Sequence, residues 1–115
     1  VREMVRLLED WFPPTLAESW DNVGLLLGDE EAPVRRIMTT LSLTDESADE
    51  AVRQRADLVI SHHPIFFRKV SRLTAQGAEG AAYKLARGGI ALYSPHTAFD
   101  SGRDGINEQW ARLLQ

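Results

Sequence analysis

Apolar positions in the first dozen residues recur at helical spacing. Val1, Met4, Val5, Leu8 and either Trp11 or Phe12 fall on one face, with charged residues between them. Pro13-Pro14 stops that helix. Residues 16–20 read as a short helical turn. The pattern then changes to short unbroken apolar runs bounded by turn residues, the signature of buried strands. Asp21-Asn22 turns into Val23-Gly24-Leu25-Leu26-Leu27, where a glycine inside a strand suggests close approach of another backbone or a ligand. A second strand is best placed at residues 37–41. Thr44 is a good N-cap, with Asp45 and Glu46 at the positive end of a helix. That helix should run to about Arg55 with Ala48, Ala51 and Val52 inward. Leu58-Val59-Ile60 is the next strand.

The remainder alternates in the same way. Residues 64–73 are aromatic and basic and read as a loop over the end of the preceding strand. Residues 78–87 form a small-residue helix closed by Gly88-Gly89. Residues 90–94 make another strand, and Asp104 or Gly105 opens a last helix with Ile106, Trp110, Leu113 and Leu114 inward. Trp11, like Trp110, is expected in a helix-face core. The order is helix, strand, strand, helix, strand, helix, strand, helix. It predicts an α/β fold with a mostly parallel or mixed sheet of about four strands and helices on both faces, a three-layer sandwich half-domain. Residues 1–115 are expected to form a single α/β domain.

Composition narrows the function. Hydrophobic residues make up 43% and charged residues 26% of the chain, values of a globular domain. A formal net charge of −4 argues against a general nucleic-acid-binding surface. No apolar run reaches about 18 residues, so no membrane span is expected. The absence of cysteine excludes disulfides and thiolate metal sites, so any metal must be held by His, Asp or Glu. It also fits a cytoplasmic protein.

The candidate chemistry gathers at two strand ends. His62-His63-Pro64 follows the strand that closes at Ser61, and Pro95-His96 stands in the same relation to the strand that closes at Ser94. Ligands of open α/β sheets bind at the carboxyl ends of strands. His62, His63 and His96 are all the histidines in the chain, and Asp100 follows four residues after His96. Imidazoles with a carboxylate are donors suited to zinc, iron, nickel or manganese. The plainer alternative is that His62 and His63 hydrogen-bond loop carbonyls and that Asp100 is a turn or N-cap residue. Trp20-Asp21-Asn22 could help shape a pocket, but an Asp-Asn pair before a strand reads first as turn chemistry. Arg68, Lys69 and Arg72 read as a solvated loop that could meet a phosphate.

Three stretches in series carry a family resemblance. They are Leu16-Ala17-Glu18-Ser19-Trp20-Asp21-Asn22-Val23-Gly24-Leu25, then Ser61-His62-His63-Pro64-Ile65-Phe66-Phe67, then Tyr93-Ser94-Pro95-His96-Thr97-Ala98-Phe99-Asp100 with Gly105-Ile106-Asn107. Together they resemble the amino-terminal part of the GTP cyclohydrolase 1 type 2 homologue family, also called the NIF-three-like family. The resemblance implies a site for two divalent metal ions, zinc first, with iron, manganese or nickel as alternatives. His62, His63 and Asp100 match metal-binding positions of the family, and His96 matches a position at the same site. The family also uses a later histidine and a glutamate four residues beyond it, and neither follows Asp100 in that arrangement here. The chain is therefore expected to be the amino-terminal portion of a longer member. Ser42 stands where relatives usually carry aspartate. The function implied is a metal-dependent hydrolase acting on a nucleotide, by GTP ring opening or phosphoester cleavage. A non-catalytic metal-binding regulatory or scaffold protein is the alternative. The family also implies a homo-oligomer built from dimers, a hexamer in its relatives. Catalytic and substrate-binding residues are left unassigned.

Overall fold

A computed structural model describes residues 1–114. Four strands form one mixed sheet: β1 (Gly24–Leu27), β2 (Ile37–Thr40), β3 (Leu58–Ser61) and β4 (Ala91–Ser94), in the order β1-β4-β3-β2. The three later strands are parallel, while β1 lies antiparallel to β4 on one edge. Five α-helices surround the sheet: α1 (Arg2–Trp11), α2 (Asp45–Arg53), α3 (Gly80–Arg87), α4 (His96–Ser101) and α5 (Ile106–Leu113).

Alternation along each strand divides the core in two. Val59 and Leu92 face one side with Ala48, Ala51, Ala81 and Leu85 of α2 and α3. Leu58, Ala91 and Tyr93 face the other with Val1 and Leu8 at α1. Small residues let α2 and α3 lie close to the sheet, and each fully buried Leu there contributes about 1.5–3 kcal/mol. The observed layers are those the β/α alternation predicts.

Local chemistry explains the element ends. Thr44 caps α2 by accepting the Ser47 N–H, and the Ser47 hydroxyl in turn accepts the Thr44 N–H. Close approach to β1 occurs just past its end rather than within it: a Cβ on Gly28 would lie 2.6 Å from that of Ala91. Gly24 instead supplies a φ of +103° that favours glycine.

Several helix faces differ from expectation. Phe12, not Trp11, enters the core: they are 5% and 58% exposed. Phe12 packs edge-on against Phe99 at 4.7 Å between ring centroids. Val52 is turned outward on α2. Trp110, Leu113 and Leu114 of the last helix are exposed as well, at 58%, 76% and 81%. The helical period of α5 is right, but its apolar side meets no other described element that covers it.

Candidate metal centre

The sheet register sets the site. Thr40 pairs with Ser61, and Ile60 with Tyr93, so β2, β3 and β4 end together at one edge. The backbone continues past β3 in register: His62 N–H donates to Thr40 O at 3.1 Å and His63 N–H to Leu41 O at 2.9 Å. Two buried serines pin the pair further. Ser61 Oγ donates to His63 O at 2.9 Å, and Ser94 Oγ donates to His62 O at 2.8 Å. On a regular strand two adjacent side chains would diverge. Here the strand has ended, and the rings of His62 and His63 converge to 5.0 Å between centroids.

His96 joins them from β4. It is the first residue of α4, a six-residue helix that the sequence reading did not foresee. Its ring lies 5.3 Å from that of His62 and 5.7 Å from that of His63. One ligand atom from each of the three imidazoles falls within 4.8 Å of the others. Asp100, one turn further along α4, places Oδ1 3.7 Å from His62 Nε2. It stands beside His62, outside that three-imidazole group. Asn107 holds the end of this turn, donating through Nδ2 to Asp100 O at 3.1 Å.

The electrostatics suit a cation. His62 is half-buried, and its Nδ1 is buried with no hydrogen-bond partner. Burial pushes the His62 imidazolium down, and His63 and His96 add to this against the opposing pull of Asp100. A neutral imidazole with an orphaned nitrogen amid other imidazoles is the form a metal requires. The donor set present therefore fits a divalent cation of the zinc, iron or manganese type.

Each of the other two rings has a partner behind it. His63 Nδ1 lies 2.7 Å from Ser42 Oγ. His96 Nδ1 lies 2.8 and 2.9 Å from the two carboxylate oxygens of Asp21. Asp21 is the residue of this cluster whose sequence signal pointed first to a turn. It does accept the Asn22 N–H at 2.8 Å, but its side chain is fully buried and also accepts from Thr97. Burial alone would raise its pKa. Hydrogen bonds from Thr97, His96 and the Asn22 and Thr97 backbone outweigh that and hold the carboxyl below its usual range.

Beside the imidazoles lies an open cavity of about 570 Å³, lined by Trp20, Asn22, Phe66, Phe67, Arg68 and Lys69 among others. The Trp20 and Phe67 rings stand 6.3 and 6.4 Å from that of His96. Asn22 anchors the loop by donating to Phe66 O at 2.6 Å. Residues 64–73 thus form the loop at the site that their composition predicts. No helix among the described residues is long and apolar enough to cross a membrane.

Three imidazoles gathered at the carboxyl edge of a mixed α/β sheet make a candidate metal centre. The family is fixed by comparison: the chain matches the Duf34/NIF3 (NGG1p interacting factor 3) family over residues 1–115 and belongs to it. A Clostridium acetobutylicum protein named GTP cyclohydrolase 1 type 2 homolog is 41% identical over 115 residues, 99% of this chain and 43% of that protein. Among solved structures, a Staphylococcus aureus hypothetical protein superimposes with a TM-score of 0.91 at 38% identity, over 97% of this chain and 37% of that one. A Bacillus cereus protein related to NIF3 gives 0.89 at 34% identity, over 97% and 31%. The chain thus spans less than half the length of these relatives.

Proposed function

We propose that these residues form the metal-holding part of a divalent-metal-dependent hydrolase whose substrate is a nucleotide. The observation that carries this reading is the cluster of His62, His63 and His96 with the unpartnered Nδ1 of His62. His62, His63 and Asp100 would hold the metal, with His96 joining them. Two ions per complete site, zinc first, follow from the family resemblance. A divalent ion held there supplies Lewis-acid polarisation of a carbonyl or phosphoryl oxygen. The chain's own residues do the rest. Asp21 and Ser42 orient imidazoles. Trp20 and Phe67 flank His96 at the cavity wall. Arg68 and Lys69 bring positive charge to the cavity mouth, where a phosphate would be recognised. The relatives' name, GTP cyclohydrolase 1 type 2 homolog, makes GTP the first substrate to try.

The test is turnover by the metal-loaded protein. GTP and a phosphoester are offered separately, and products are followed by chromatography. Ring opening or ester cleavage that disappears in His62→Ala supports the reading. Activity on neither substrate sinks it.

A non-catalytic metal-binding scaffold is the second reading, favoured by exposed apolar side chains on α1 and α5, among them Trp11, Trp110, Leu113 and Leu114. Such surfaces suit a homo-oligomer, which we propose under either reading. A defined partner bound only by metal-loaded protein, and lost in Asp100→Ala, would favour the scaffold.

A further inference from the structure

The contact between Asp21 and His96 joins two parts of the chain 75 residues apart. It carries more than the architecture needs. Oδ1 of Asp21 accepts from His96 Nδ1 and from the Asn22 N–H. Oδ2 accepts from His96 Nδ1, from the Thr97 N–H at 3.2 Å and from the Thr97 hydroxyl. An ionised carboxylate has no proton to give, so the proton between the two groups belongs to His96 Nδ1. The lone pair of a neutral His96 then sits on Nε2, the nitrogen left for the cluster. Neither of the other rings is fixed in this way. Ser42 Oγ can donate to His63 Nδ1 or accept from it, and His62 Nδ1 has no partner. The backbone adds a second, independent sign. His96 has a φ of +30°, on the sparsely populated left-handed side for a residue with a Cβ. Such strain persists only where surrounding bonds enforce it, and it clusters at functional sites.

We propose that Asp21 is a positioning residue that fixes the tautomer and orientation of His96, so that Nε2 is the nitrogen His96 presents to the metal site beside His62 and His63. This rests on the metal-binding reading above. Partners behind a ligating histidine fix its tautomer and orientation, and their loss commonly weakens metal affinity by about 10–100-fold.

The experiment titrates zinc into metal-free protein and records nitrogen-detected imidazole spectra of the histidines before zinc is added. Wild type should bind zinc tightly, and the His96 proton should reside on Nδ1. Asp21→Asn keeps the shape, removes the charge and offers an amide donor that favours the opposite tautomer. It should move the proton to Nε2 and weaken zinc binding by about 10–100-fold, while metal-free thermal unfolding shows that the variant is folded. Thr97→Val removes one donor to Asp21 without touching the His96 bond and should bind zinc nearly as wild type does. Equal zinc affinity in Asp21→Asn and wild type overturns the role of Asp21 and leaves the metal reading standing. Wild type that binds no zinc overturns both. Should Asp21→Asn not fold, the wild-type spectrum decides alone: a proton on His96 Nε2 overturns the inference.

Discussion

Tyr93 is 1% exposed in β4, packed on the α1 side of the sheet. Burial, with Glu9 adding to it, pushes its phenol up to about 12 from 10.0. The folded state therefore keeps a proton that the unfolded state releases. Stability should be fully present below pH 10 and fall as pH rises from 10.0 toward about 12. Alkaline absorbance titration should show a late tyrosine phase that Tyr93→Phe removes, and the variant should lose less stability above pH 10. At this same scale the site was only partly legible. His62, His63, His96 and Asp100 announce themselves by type and by their place after strands. Asp21 does not, because an Asp-Asn pair before a strand looks like ordinary turn chemistry. Only folding shows that its carboxylate is buried against a histidine 75 residues away.

The elements divide by how much of their definition is local. Helix α2 is legible because its start is chemical: Thr44 and Ser47 satisfy each other's backbone N–H groups. Thr44→Ala should destabilise the protein by about 1 kcal/mol, read as an equal loss in denaturant unfolding, without affecting metal binding. The strands are legible from apolar runs and proline stops. Helix α4 is not: at six residues, opening on a histidine with φ +30° directly after Pro95, it has neither periodicity nor a favourable cap. Yet α4 carries both His96 and Asp100. Trp11 on α1 and the apolar side of α5 were misjudged for another reason. Periodicity locates an apolar stripe, but only the neighbours decide whether it is buried. Trp11 and Trp110 lie on stripes that the described residues leave open.

For the whole molecule, the mixed sheet places all three histidines at one edge, while Trp11 and Trp110 stand exposed on α1 and α5. Helix α5 and the residue after it expose Trp110, Leu113 and Leu114 together, and such apolar surface is unusual on a lone domain. Sedimentation should therefore report a mass that is a multiple of 12.9 kDa; a monodisperse monomer would contradict the oligomer. The central claim concerns the imidazole cluster, and elemental analysis tests it most directly. The protein is reconstituted with zinc, dialysed free of loosely held ion and measured beside a His62→Ala/His63→Ala double variant. The expected result is about one ion or more per wild-type chain and its loss from the variant. Less than about a tenth of an equivalent in wild type, or equal zinc in both proteins, would contradict it.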